Sequence, residues 1–149
     1  MASTVITPIA DAIADVLTGL AVTPTVKGRT WDPGLTGIDK VPCGIVGPPE
    51  LRRTALDDSE TQLGALDWYL DYPVIIGVDL DVAPSSASQL VEIVEAFVKA
   101  IDADQTLGLG AFCDQAIVSE FFGPERSDPE SGRPLYFYAG TVTVRALVF

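Results

Sequence analysis

The stretch LDWYLDYPVIIGVDLDV, residues 66–82, decides the fold. Every even position in it is apolar: Leu66, Trp68, Leu70, Tyr72, Val74, Ile76, Val78, Leu80 and Val82. The odd positions include Asp67, Asp71, Asp79 and Asp81. Side chains on a strand alternate between faces, so this pattern predicts one long strand with a buried face and a wet face. At roughly 3.3 Å per residue it would run about 55 Å, more than the width of a small domain. One end is therefore expected to project or bend, with Pro73 and Gly77 as the places for a bend or bulge. Pro73, Ile75 and Gly77 interrupt the charged side, which predicts a middle covered on both faces and aspartates exposed at the ends.

Upstream, the opening MASTVITPIADAIADVL carries Asp11 and Asp15 and no basic n-region, so it does not read as a signal peptide. Ile9, Ile13, Val16, Leu17 and Leu20 recur at helical spacing, and Thr7-Pro8 has the form of an N-cap followed by a first-turn proline. The spacing predicts a helix over 8–18, with Gly19 at its end. Residues 22–42 are rich in Gly and Pro and read as turns with a short edge strand within 22–29. A second edge strand is expected over 41–46, where Pro42 would sit awkwardly in a sheet centre. The stretch 47–64, GPPELRRTALDDSETQLG, is polar throughout and reads as a long charged loop, holding Arg52-Arg53 and the acidic run Asp57, Asp58 and Glu60.

Downstream, Leu90, Val91, Ile93, Val94, Phe97, Val98 and Ile101 form a broad apolar helical face, and Ser86 with Gln89 has capping-box spacing, so a helix is predicted over 86–102. DQAIVSEFF at 114–122 and LYFYAGTVTVRALVF at 135–149 read as strands joined by a polar tip. The fold class is therefore α+β: a mostly antiparallel sheet with one very long strand and two helices packed on one face, as a single domain over 1–149. With 48% apolar residues in 149, there is material for one sizeable core.

Composition narrows the chemistry. The net charge of −12 opposes binding to nucleic acid phosphates and to anionic membranes. No apolar run approaches the ~20 residues that span a bilayer, so no membrane partner is expected. The chain has no histidine, which removes the commonest general base, the His-dependent nucleophile systems and most zinc sites. Cys43 and Cys113 sit far apart among apolar residues and read as two buried, reduced thiols.

Each remaining motif has a plainer structural explanation. Asp79 and Asp81 share a strand face, as a pair that holds a divalent cation or does acid–base work would, but the wet side of an amphipathic strand accounts for both. Asp57, Asp58 and Glu60 lack EF-hand spacing and read as a solvated run. Gly108-Leu109-Gly110 follows a helix, the reverse of the strand–loop–helix order of nucleotide-binding loops, and reads as a turn. Arg52-Arg53 next to acids reads as a surface ion-pairing contact rather than a phosphate clamp. Trp68, Tyr69 and Tyr72 with Tyr136, Phe137 and Tyr138 read as cross-strand packing, or an interface, rather than a base-stacking platform, which would come with a basic groove. No catalytic, cofactor or metal residue is assigned.

The layout as a whole resembles the tail-terminator proteins of long-tailed bacteriophages, and related neck and tail-completion proteins share much of it. The pieces that carry the resemblance are TPIADAIADVLTGL, the segment DWYLDYPVIIGVDLDV followed by SASQLVEIVEAFVKAI, and the terminal GRPLYFYAGTVTVRALVF. The resemblance implies a non-enzymatic virion protein at the head-proximal end of the tail, made in the host cytoplasm. It implies a homo-oligomer, a hexameric ring, that stops growth of the tail tube protein and meets a head–tail connector protein while DNA passes through without specific binding. On that reading Arg52, Arg53, Asp57, Asp58 and Glu60 are interface candidates, with the 47–64 loop ordering against acidic surface of a neighbour. Asp79 and Asp81 are channel candidates, joined there by the 57–60 acids. The other readings are a head–tail connector or tail-completion protein, and a small cytosolic ligand- or metal-binding domain.

Overall fold

The alternation of the long stretch sets the centre of the sheet. A computed structural model describes residues 5–22, 25–31, 42–55, 66–79, 85–111, 113–126 and 135–146. In order these form α1 (Ile6–Thr18), β1 (Lys27–Thr30), β2 (Cys43–Val46), β3 (Glu50–Ala55), β4 (Leu66–Asp79), α2 (Ser85–Ala103), β5 (Cys113–Arg126) and β6 (Leu135–Ala146). The strands make one sheet in the order β1-β2-β4-β6-β5, with β3 also paired to β4. Only β1 and β2 run parallel; the other pairs are antiparallel. Two helices against a mostly antiparallel sheet make this an α+β fold.

β4 buries Leu70, Tyr72, Val74, Ile76 and Val78, the even positions, against both helices. It pairs with β6 without a register break from Trp68 opposite Ala146 to Asp79 opposite Leu135. The expected bulge at Pro73 or Gly77 is absent from that ladder. Instead β4 changes partner along its other edge: β3 covers Leu66–Asp71 and β2 covers Val74–Gly77. Pro73 lies in the gap, where its carbonyl accepts a 2.8 Å hydrogen bond from the Gly47 amide. A strand residue's N–H and C=O point to the same side, so the amide that proline lacks falls at a junction where no ladder partner is lost. The register shifts sit on the edge strand β5, between Cys113 and Gln115, Val118 and Glu120, and Phe122 and Glu125. Bulges on an edge strand twist it and blunt it against further pairing.

Three expectations are corrected upstream of β4. First, α1 starts two residues early: Val5 is the N-cap, with no side-chain cap, and Pro8 is the third helical residue. Proline fits there because first-turn amides have no intrahelical acceptor. Second, β2 is an interior strand between β1 and β4, not an edge, and Pro42 stays just outside it, accepting from the Lys27 amide at 2.9 Å. Third, the expected loop at 47–64 begins with a strand, so Arg52 and Arg53 lie on β3. Residues 56–65 lie outside the described residues.

α1 approaches the sheet closely because its floor is glycine. Gly28 and Gly44 are register partners on neighbouring strands and face the helix. The Thr18 hydroxyl donates to the Ala14 carbonyl at 3.2 Å and accepts from the Gly28 amide at 3.1 Å, fastening helix to strand. The Tyr72 hydroxyl, whose pKa burial raises, donates to the Ile6 carbonyl at 2.7 Å and ties β4 to the start of α1. α2 buries Leu90, Ile93, Phe97 and Ile101. Phe97 meets Phe121 edge-on at 6.1 Å, and Phe121 meets Tyr138 likewise at 6.5 Å.

Candidate functional site

The odd positions of β4 face away from both helices and place the polar chemistry. Arg52 on β3 stands in register with Tyr69, and its guanidinium carbon lies 5.3 Å from that ring's centroid. Its Nε donates to Asp71 Oδ2 at 2.6 Å and its terminal nitrogen to Asp71 Oδ1 at 3.1 Å, a two-pronged ion pair. Thr143 on β6 donates its hydroxyl to Asp71 Oδ1 at 2.8 Å. Ser119 on β5 places its hydroxyl 3.1 Å from Thr143 Oγ1 and 3.1 Å from the Thr141 carbonyl. Thr143's single proton is committed to the carboxylate, so Ser119 is the donor in either of its contacts. One polar node thus crosses β3, β4, β6 and β5.

The hydrogen bond from Arg52 holds the Asp71 carboxyl below its ordinary value, with Thr143 and the charge of Arg52 acting the same way against burial. The folded value is lower than the unfolded one. The node's contribution is therefore fully present above the usual carboxylate range, about pH 4, and is lost as pH falls through the lower folded value. Farther along the same face, Arg145 pairs with Asp114 at 3.3 Å. On the other side of the node from Arg145 runs a strip of Ile75, Ala139 and Thr141, with Glu120 and Phe122 of β5 in register beside it, Phe122 being 62% exposed.

The structure brings together only part of the candidate set. Arg52 binds within its own chain, to Asp71 and Tyr69, rather than standing free for a neighbour. Arg53 follows it on β3. Asp79 ends β4 on the face away from the helices. Asp57, Asp58, Glu60 and Asp81 lie outside the described residues. The aromatics divide between faces: Trp68, Tyr72, Tyr136 and Tyr138 join the helix-side core, while Tyr69 and Phe137 lie on the other side. They form no continuous platform. Gly108-Leu109-Gly110 is a turn, with Leu107 and Gly108 at positive φ of 54° and 70° and the Leu109 amide bonded to the Thr106 carbonyl.

The outward sides of the helices carry Asp11, Asp15, Glu92, Glu95 and Asp102 exposed, against the single base Lys99, which pairs with Glu95 at 2.8 Å. Among the described residues no three acids or cysteines converge as metal ligands would, and no helix is long and apolar enough to cross a membrane. Cys43 and Cys113 are buried and are not joined in a disulfide. Burial, reinforced by Asp114 and Asp104, pushes the Cys113 thiol up to about 11. Since the thiolate is the nucleophile, neither cysteine is expected to react with Ellman's reagent at pH 8 in the folded protein. Both should react at once in urea. Rapid labelling of the native chain would show that the Cys113 side of the core opens readily.

Chemically, the node can orient strands and carry charge at a surface. Sequence reasoning missed it because Arg52 and Asp71 are 19 residues apart and the first was read as a loop residue. No protein-family model matches the chain, and no curated protein matches it.

Proposed function

We propose that the chain is a structural virion protein: a tail terminator that caps the phage tail tube as a homohexameric ring and offers the surface for head–tail joining. The observation that carries the reading is the order of elements. An N-terminal helix, a long central strand alternating over its whole length, an amphipathic helix and a closing antiparallel hairpin follow one another as in that family's layout. The face of the sheet away from the helices supports it, since beside the small buried cluster of Cys43, Ile45 and Leu135 it bears exposed Ile117 and Phe122, material for contacts between subunits. In such a ring, part of the excess acid, with Asp79 and Asp81 among the suppliers, would line the channel and keep DNA from adhering.

Native mass spectrometry should give a hexamer, or a monomer that assembles on tube ends. Added to polymerising tail tube protein, the chain should stop growth at a defined length, read by electron microscopy. A stable monomer that leaves tube length unchanged would rule the reading out.

A further inference from the structure

We propose that β3 is a charge-latched strap: it docks on β4 as an independent unit, held by the ion pair of Arg52 with Asp71, and can lift while the rest of the domain stays folded. Three observations on the page lead there. β3 lies off the main path of the sheet and pairs with β4 alone. The helices pack principally on β1, β2, β4, β5 and β6. Leu51, on the helix-facing side of β3, is 46% exposed, although its register partner Leu70 is fully buried. A strand with little apolar cover belongs to the low-stability end of a fold and opens locally.

Charge then decides whether the strap stays down. Glu50 stands directly opposite Asp71 in the ladder, and like charges in that position repel. Arg52, two residues along the same side of β3, is the cation bonded to Asp71 among the described residues, through its two-pronged pair. Exposed ion pairs ordinarily contribute little, and forked geometry within a network is the exception. The groups facing Asp71 are Glu50 and Arg52 from β3, Tyr69 from β4 itself, Thr143 and Arg145 from β6, and Ser119 from β5, with Asp114 paired to Arg145. No helix lies on this side. Remove the arginine and two carboxylates are left facing each other. Lifting the strap uncovers the edge of β4 from Leu66 to Asp71, a row of backbone groups otherwise paired.

Hydrogen exchange by mass spectrometry tests the latch on the full chain at pH 7. Arg52→Met should speed exchange over 50–55 at least tenfold and leave α2, over 93–101, unchanged. Adding Glu50→Gln to that variant should restore much of the protection, because the repulsion it relieves is gone. Arg52→Lys, which keeps the charge but loses the fork, should fall between wild type and Arg52→Met. Asp71→Asn removes the ion pair and the repulsion together, so it should loosen 50–55 less than Arg52→Met does. Unchanged exchange over 50–55 in Arg52→Met would overturn the proposal. So would β3 and α2 accelerating together, because β3 would then open only with the whole domain.

Discussion

Replacing Phe97 by alanine is expected to lower stability by about 3–5 kcal/mol, near the most that a single core truncation removes. Phe97 is fully buried, and it is where α2 meets the β5–β6 hairpin: its ring sits edge-on to Phe121, which stacks in turn against Tyr138. Truncation deletes that aromatic contact and leaves a cavity between helix and sheet. The neighbours Leu90, Ile93 and Ile101 belong to a helix already seated on the sheet, so they cannot collapse fully into the space. The same change at Val91, on the outer side of the same helix and 51% exposed, should stay within about 0.5 kcal/mol. Urea unfolding of the two variants separates burial from helix propensity. Equal midpoints would mean that α2 does not pack through Phe97.

That contrast follows a distinction already legible in the residues. The 3.6-residue spacing of Leu90, Ile93, Phe97 and Ile101 and the two-residue spacing of 66–82 each name a buried face; these four helix residues and, of the strand, Leu70, Tyr72, Val74, Ile76 and Val78 are buried as read. The observed ends, Ser85 and Ala103 for α2, differ by one residue from the predicted ones, which is ordinary fraying of helix boundaries. β3 was illegible for a physical reason. ELRRTA has no alternation of apolar and polar residues because neither of its sides is fully buried, so hydrophobic periodicity has nothing to report. Its pairing comes from its backbone and from β4. The polar node followed β3 into obscurity, since Arg52 finds Asp71 only once the hairpin register is set. One signal was available: two charged residues of opposite sign, Arg52 and Asp71, flank a long polar turn at positions that a hairpin would bring close. β5 was read too short because its far end, GPER, is exposed and looks like turn sequence. The bulge expected at Pro73 is absent from the β4–β6 ladder, and the proline's missing donor coincides with a change of partner strand, which a single sequence does not display.

Gly28 was read among the turn-rich residues 22–42 and Gly44 within an edge strand; both instead lie under α1, which sets the last expectation. Gly28→Val should destabilise the chain by about 3 kcal/mol, the upper part of the range for overpacking, and should act on the docking of α1. A Cβ at Gly28 would run into the Ala14 carbonyl oxygen and lie 2.7 Å from Thr18 Oγ1. The first of these is helix backbone, which cannot rotate away as a side chain can. Relief requires α1 to lift from β1, and lifting breaks the bond from the Gly28 amide to Thr18 and strains the bond from Tyr72 to Ile6. Gly44→Ala makes the comparison. Its Cβ would come within 2.7 Å of Leu17 Cδ1, the far end of a flexible side chain, so the cost should be smaller, nearer 1 kcal/mol in the same range. Thermal unfolding ranks the two, and near-ultraviolet spectra of Tyr72 report whether α1 has shifted. If Gly44→Ala proved as damaging as Gly28→Val, the backbone contact would not be what holds β1 against the helix.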